Sequence, residues 1–140
     1  MDYIIIRPHN VYGKYQKNHF IPEFLERSKK NKIKIFGWKN KRCWLHVEDF
    51  CSALNRVINS KKCKNKIINI GSNYEKSVYD LAKLILKIKY PKNRKILIKN
   101  KAPKGSTTRR VPDINKIYKL TKWKPAINIK NGLMKTLYYE

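Results

Sequence analysis

The chain has 140 residues, of which 41 % are hydrophobic, so it has the size of one ordinary domain and can bury a core. Its longest apolar run is four residues, which excludes a membrane-spanning helix, and its first residues lack the basic and long apolar regions of a signal peptide. The formal net charge is +25, and we expect a cytoplasmic location.

The first half of the chain predicts alternating strands and helices. An isoleucine run predicts a strand over residues 2–7. Because this run is apolar on both faces, it is typical of a central strand in a parallel sheet, with neighbours on both sides. Apolar residues at helical spacing predict helices over 20–30 and 48–60. Further short strands are predicted at 33–36, 43–47 and 67–70.

The second half continues the alternation. Ser77 predicts the N-cap of a helix that ends near residue 88, and Asp113 predicts the cap of a short helix. Asp49 is also explained by helix capping. The remaining predictions are a strand at 95–99, a loop at 100–110 and a last helix at 129–139. Strands that alternate with helices indicate an α/β fold.

The cysteines and histidines do not form a recognisable framework. Cys43, Cys51 and Cys63 are odd in number, and their spacing fits neither a disulfide scaffold nor a zinc site. We expect reduced and mostly buried thiols. The three histidines lie far apart without cysteine or carboxylate at ligand spacing, so no metal site is assigned.

The positive charge has two explanations. The chain holds 27 lysines but only 7 arginines, and it is also rich in isoleucine and asparagine. Phosphate recognition recruits arginine for its bidentate fork, whereas lysine, asparagine and isoleucine share A/T-rich codons. The lysines are also scattered along the sequence. We therefore favour a compositional bias over a nucleic-acid partner, while a basic nucleic-acid-binding or protein-interaction module remains the alternative function.

Five stretches resemble a known family in the order in which they occur. They are RPHNVYG, NHFIPEF, IKIFGWKNKRCWLHVEDFCSAL, IINIGSNYEKSVYDLAKLI and the closing PKGSTTRRVPDINKIYKLTKWKPAINIKNGLMKTLYY. Together they resemble extended short-chain dehydrogenase/reductases, the NAD-dependent sugar-nucleotide epimerases and dehydratases. The features are most similar to UDP-sugar epimerases and UDP-glucuronate decarboxylases.

The resemblance implies a partial enzyme. Residues 1–13 would be the last main strand of a Rossmann-type sheet, and residues 14–140 the small α/β substrate-binding domain. The N-terminal dinucleotide-binding part would be missing from this chain. The strand over residues 2–7 would then lack the neighbours for which its sequence is suited.

The resemblance also implies a nucleotide-sugar site. Asn10 matches the family asparagine that contacts sugar or diphosphate, although capping of the turn is an alternative. Arg42, Arg109 and Arg110 match arginines that pair with the diphosphate. The remaining matches are His19 and Phe20 for the nucleotide, Ile35 and Phe36 beside the base, and Pro8 and His9 near the nicotinamide. Phe20, Ile35 and Phe36 are equally explained as plain core.

The machinery for hydride transfer is not found in the sequence. The five glycines are never closer than 24 residues, so no Gly-rich turn for NAD exists. Two Tyr-Lys pairs have the i, i+4 spacing of the family's catalytic pair, Tyr79–Lys83 and Tyr118–Lys122, but both fall on structural helices of the family. No catalytic residue is assigned. We expect a nucleotide-sugar ligand, no cofactor bound by this chain alone, no membrane partner, a separate NAD-binding half as a candidate partner, and a homodimer in the complete enzyme.

Overall fold

The computed structural model describes residues 1–92 and 95–138, and within them short strands alternate with helices. The helices are α1 (Phe20–Arg27), α2 (Val47–Ile58), α3 (Val78–Lys89), α4 (Asn115–Thr121) and α5 (Ile129–Tyr138). The strands are β1 (Ile4–Pro8), β2 (Val11–Tyr12), β3 (Lys32–Phe36), β4 (Lys41–Cys43), β5 (Leu45–His46), β6 (Lys66–Ile70), β7 (Glu75–Ser77), β8 (Ile96–Asn100) and β9 (Arg109–Arg110). This pattern confirms the α/β class.

The opening strand has a partner within the chain. β1 runs parallel to β6, with Ile4 opposite Lys66 and Pro8 opposite Ile70. The expectation that the isoleucines lack sheet neighbours is therefore wrong for one edge of the strand. Side chains alternate along a strand, so Ile4 and Ile6 pack on the core while Ile5 is 47 % exposed. The sheet of β1 includes residues 66–70, and the division at residue 13 stays a prediction.

Two apolar clusters hold the elements together. One lies between α1, α3 and α5, around Phe24, Leu81 and Leu133. The other lies where α2 and α4 pack on β5 and β6. Ile58, at the end of α2, is 63 % exposed, although its spacing predicts an inward position.

The structure places the two aspartates that were predicted as helix caps in different surroundings. The N-cap residue of α4 is Ile114, not Asp113 as predicted, but the Asp113 carboxylate accepts a hydrogen bond from the Asn115 amide at 2.8 Å at the start of the helix. Asp49 is not a cap, because it lies buried inside α2 and binds backbone amides across the molecule. The N-cap of α2 is His46, whose Nδ1 accepts from the Glu48 amide at 3.3 Å. Ser77 caps α3 as predicted, accepting from the Asp80 amide at 3.0 Å.

A three-stranded sheet, not predicted from the sequence, carries all three candidate site arginines, Arg42, Arg109 and Arg110. β4 is its central strand, antiparallel to β7 and parallel to β9. The register places Lys76 and Arg110 on either side of Arg42. Directly opposed residues in a sheet present their side chains on the same face, so this register gathers three cations in one row.

The cysteines are free, with Cys43 and Cys63 buried and Cys51 exposed, which confirms the expectation of mostly buried thiols. Among residues 1–92 and 95–138, no group of three or more His, Cys, Asp or Glu side chains is placed to hold a metal ion. Over the same residues, no helix combines the length and apolar character needed to cross a membrane.

Candidate nucleotide-sugar site

A cavity lies where β2, the start of α1, the turn after β3 and β4 meet. Its volume is about 270 Å³, near the lower end of the range for small-molecule sites. Its walls come from four separate stretches of the chain, and they are formed by Asn10, Val11, Tyr12, Gln16, His19, Phe20, Ile21, Phe36, Gly37, Asn40, Arg42, Trp44, Val78, Pro103 and Ser106.

Half of the residues that the resemblance implies for the site meet in this cavity. Those that line it are Asn10, His19, Phe20, Phe36 and Arg42. Ile35 does not, because its side chain is turned into the core and is only 1 % exposed. Pro8, His9, Arg109 and Arg110 also lie outside the lining.

Asn10 stands in a left-handed backbone conformation, with a φ of 43°, which asparagine tolerates better than most residues. Its Nδ2 donates to the Cys43 carbonyl at 2.8 Å, and its own carbonyl accepts from the Leu45 amide at 3.1 Å. The side chain thus ties the turn to β4 instead of capping its own turn. No hydrogen bond to its Oδ1 is present in the described part of the chain, so an acceptor is available at the cavity wall.

Hydrogen bonds to two backbone carbonyls hold the side chain of Arg42 in place without a ligand. Its guanidinium donates to the Lys41 carbonyl at 2.8 Å and to the Thr107 carbonyl at 2.5 Å, which fixes its direction. Burial lowers the pKa of Arg42, and the neighbouring charge of Arg110 lowers it further. Two guanidinium groups side by side repel each other, and an anion between them would relieve that repulsion.

Aromatic side chains form the apolar wall of the cavity. Phe20 stacks on Phe24 with ring centroids 5.6 Å apart and lies 6.4 Å from Trp44. Phe36, on the cavity lining, is 51 % exposed, which is unusual for a phenylalanine that only serves the core. Flat apolar surfaces of this kind suit a planar base.

Tyr12 lines the cavity but is not suited to act as a base. Its ring is buried, its hydroxyl has no hydrogen-bond partner in the described part of the chain, and it lies against α5. Burial raises the pKa of Tyr12 well above its usual value, with a further contribution from the Asp49 carboxylate. The hydroxyl therefore stays protonated.

Arg109 is engaged elsewhere. Its guanidinium forms a two-pronged ion pair with the Glu75 carboxylate, at 2.9 and 3.2 Å. Arg109 precedes Arg110 in β9, so its side chain leaves the opposite face of the sheet from the Arg42 row. Arg110 lies beside Arg42 in the register and is exposed.

The Glu75–Arg109 pair predicts an acid-sensitive contribution to stability. The hydrogen bonds and charge of Arg109 hold the pKa of Glu75 below its usual value of about 4.5. A carboxylate whose pKa is lowered by folding stabilises the protein above that usual value, and this contribution disappears as the pH falls through the lowered pKa. We expect thermal melts between pH 6 and pH 3 to show this loss in the wild type. The loss should be smaller in Glu75→Gln, and a pH profile of Glu75→Gln identical to that of the wild type would contradict the assignment.

Several lining residues were not predicted as site residues. Asn40 and Trp44 each lie two positions from Arg42 in the sequence. An aromatic and an amide so close to a candidate arginine are signals from which both residues could have been predicted. Pro103 and Ser106 lie in the predicted loop over residues 100–110, and no local pattern points to them. Neither member of the Tyr79–Lys83 and Tyr118–Lys122 pairs lines the cavity.

Comparisons with known proteins identify the family of this chain. Residues 1–71 match the model of the NAD dependent epimerase/dehydratase family. A putative UDP-glucose 4-epimerase of Methanocaldococcus jannaschii is 33 % identical over 98 % of this chain and 45 % of its own length. This chain therefore belongs to the NAD-dependent epimerase/dehydratase family, a group of extended short-chain dehydrogenase/reductases.

Solved structures show the same fold. The UDP-glucose 4-epimerase of Thermotoga maritima, solved with UDP-glucose, gives a TM-score of 0.84 at 25 % identity and covers 99 % of this chain and 46 % of its own. A dTDP-glucose 4,6-dehydratase of Bacillus anthracis, solved with NAD, gives 0.82 at 29 % identity, with coverages of 95 % and 42 %. The chain thus spans less than half the length of these relatives.

Proposed function

We propose that this chain is the substrate-binding part of an NAD-dependent nucleotide-sugar epimerase or dehydratase. In this proposal the cavity holds the nucleoside diphosphate of the substrate. Arg42 and Arg110 bind the diphosphate, Asn10 accepts from a sugar hydroxyl, and Phe20 and Phe36 flank the base. His19 adds a polar group at the same wall, and Ile35 supports the strand that carries Phe36.

The observation that carries the proposal is the convergence of Asn10, Phe36 and Arg42 on one cavity. These three residues lie on different strands and turns, yet together they supply an acceptor, a flat apolar surface and a cation. A nucleoside diphosphate needs all three, because its base is planar and apolar while its phosphates are anionic. A volume near 270 Å³ suits part of a nucleotide sugar better than the whole of one.

Arg109 has a conditional place in this proposal. It reaches the diphosphate only if its ion pair with Glu75 opens, because the two partners are joined by two hydrogen bonds. Its role as a ligand contact therefore remains a prediction, and Glu75→Gln is the variant that frees it. Because its side chain leaves the face of the sheet opposite the Arg42 row, β9 must also rearrange before Arg109 can reach the cavity.

The residues present do not by themselves fit a dinucleotide cofactor. In the described residues, the carboxyl end of β1 offers an exposed Pro8 and a partly buried His9, without a Gly-rich turn at a helix N-terminus. We therefore propose that NAD and the catalytic base come from sequence outside these 140 residues, on the same or on a separate polypeptide. A cytoplasmic location and a homodimeric complete enzyme, with residues 14–140 as the substrate domain, belong to the same proposal.

A titration calorimetry experiment tests the site. We expect the chain to bind UDP or another nucleoside diphosphate, and Arg42→Ala to weaken binding about tenfold or more, since hydrogen bonds to charged groups carry about 1.5–3 kcal/mol. Arg56→Ala is a matched control. Arg56 is also an arginine whose guanidinium donates to a backbone carbonyl 65 positions later, but it lies on α2, away from the cavity.

Equal affinities for wild type, Arg42→Ala and Arg56→Ala would contradict the site assignment. Titrations with UDP-glucose, dTDP-glucose and GDP-sugars then rank the substrates. Hydride transfer by the pure 140-residue chain with NAD would contradict the proposed division of labour.

A further inference from the structure

A second surface, separate from the cavity, combines aromatic rings with lysines. Trp38 follows β3, and its ring meets the ring of Tyr79 edge to face, with centroids 6.1 Å apart. Tyr79, Lys83 and Lys87 lie on successive turns of α3, and Tyr90 is the residue that ends the helix. All four line one side of a groove of about 610 Å³. We call this surface, from Trp38 to Tyr90, the α3 strip.

Lysine ammonium groups lie over each ring of the α3 strip. Lys99 of β8 lies 4.5 Å from the centre of the Trp38 ring and 4.9 Å from that of Tyr79. Lys95 lies 4.7 Å from the Tyr90 ring. Lys39 and Lys83 also lie over the Trp38 and Tyr79 rings, at 5.1 and 5.6 Å. Cations over aromatic faces are mildly attracted. Trp38, Tyr79 and Tyr90 pack against the core on one side and are partly exposed on the other, which is the side that a ligand can reach.

The lysines of the α3 strip have no carboxylate partners in the described part of the chain. The ion pairs of the protein lie outside the strip, at carboxylates such as Glu26, Glu48 and Glu75. Ser77 and Asp80 hydrogen-bond each other at the start of α3. The strip is therefore a region of uncompensated positive charge on a protein whose net charge is +25.

The fold changes the interpretation of the lysine content. Along the sequence the lysines are scattered, which favours a compositional bias. In space, Lys39, Lys83 and Lys99 converge on two adjoining aromatic rings although they are separated by 60 positions. A bias in composition raises the number of lysines but does not by itself place them over aromatic rings.

We propose that the α3 strip binds single-stranded nucleic acid. Unpaired bases stack on the faces of Trp38, Tyr79 and Tyr90, and the lysines that now cover those faces turn to the phosphates. Binding breaks each cation–π contact and forms two favourable contacts in its place: the base stacks on the ring, and the phosphate pairs with the lysine ammonium. Duplex bases are already stacked on each other, so the strip favours single strands.

Fluorescence anisotropy with the full 140-residue chain tests the aromatic contribution. The probes are labelled 15-mers of dT and of U, which separate DNA from RNA. Stacking on an aromatic side chain carries about 1–3 kcal/mol per base, so Tyr79→Ala should weaken binding about fivefold or more, while Tyr79→Phe should retain it. Tyr118→Ala is the matched control, because Tyr118 is an exposed tyrosine with Lys122 5.4 Å above its ring and lies outside the strip.

A pair of triple variants separates the strip from the overall charge. For single strands, each lysine–phosphate contact contributes about 0.7 to the slope of log affinity against log salt. Replacing Lys83, Lys87 and Lys99 by Gln removes three such contacts and should therefore make that slope shallower by about 2. Replacing Lys61, Lys116 and Lys130 by Gln removes the same charge outside the strip and should leave the slope nearly unchanged. All six side chains are on the surface, so folding should be preserved and is checked by circular dichroism.

Three results would overturn the proposal. They are the absence of binding at 50 mM salt, equal losses in the two triple variants, and equal affinity for duplex DNA and for both single strands. The variant with Lys83, Lys87 and Lys99 replaced by Gln should bind UDP as the wild type does, because none of the three lines the cavity, so failure of the nucleotide-sugar site and failure of the α3 strip are distinguishable.

Discussion

Gly132→Ala should unfold the protein more readily, although the same change in an exposed helix would stabilise it. Alanine is favoured over glycine inside a helix by about 1 kcal/mol. At position 132, however, the new Cβ would lie 2.0 Å from the Tyr12 hydroxyl oxygen and 3.1 Å from His46 Cδ2. Overpacking costs about 1–3 kcal/mol and sometimes more, and an approach of 2.0 Å belongs at the upper end of that range. After the helix gain of about 1 kcal/mol, we expect a net loss of about 2 kcal/mol in the free energy of unfolding. Denaturant unfolding measures it.

Tyr12→Phe provides the control for this clash. The Tyr12 hydroxyl is buried and has no partner among the described residues, so its removal should leave the protein as stable or about 1 kcal/mol more stable. The double variant should recover much of the stability that Gly132→Ala loses, and the two effects should not add. If Gly132→Ala were more stable than the wild type, the packing of α5 against the Tyr12 hydroxyl would be looser than the structure indicates. Because Tyr12 also lines the cavity, the same clash should weaken nucleotide binding.

The helices could be predicted from the sequence because their signals are local. The apolar spacing and Ser77 define α3 almost to the residue, and its N-cap hydrogen bond is present. The two-residue strand β9 could not be predicted in the same way. It exists because Arg109 and Arg110 lie beside Lys41 and Arg42, about 68 positions earlier in the chain, and no local pattern carries that information.

The candidate site shows the same division. A family resemblance pointed to Asn10, Phe36 and Arg42, and the fold brings them to one cavity. It could not show that Ile35 faces the core, because strand alternation decides the facing only once the pairing of β3 with β8 is known. Nor could it show that Arg109 is paired with Glu75, since that contact depends on the unpredicted sheet.

Asp49 is the residue for which the local explanation fails most clearly. Its position at the start of α2 suits a helix cap, yet it is only 5 % exposed. Its carboxylate accepts from the Ala126 amide at 3.1 and 3.2 Å and from the Ile127 amide at 2.8 Å. A buried carboxylate is stable only when such donors surround it, so this group ties the segment before α5 to α2.

We therefore expect Asp49→Ala to lower the free energy of unfolding by about 3 kcal/mol. The change removes charge-assisted hydrogen bonds to two amides, each of which carries about 1.5–3 kcal/mol, and it leaves an apolar side chain beside the two donors. Asp49→Asn should lose less, because its amide oxygen can still accept from one of them. Urea unfolding of both variants measures the order.

Asp113→Ala is the matched control for Asp49, because both aspartates suit the same local explanation. Asp113 is exposed and accepts from a single amide, that of Asn115 at 2.8 Å. Its loss should cost about 1 kcal/mol, because it removes one exposed hydrogen bond to an amide at the start of a helix. If Asp49→Ala and Asp113→Ala cost the same, Asp49 acts as a local cap after all, and the segment before α5 must be held by its apolar contacts. If Asp49→Ala costs about three times as much, the long-range tie through Ala126 and Ile127 holds this end of the molecule together.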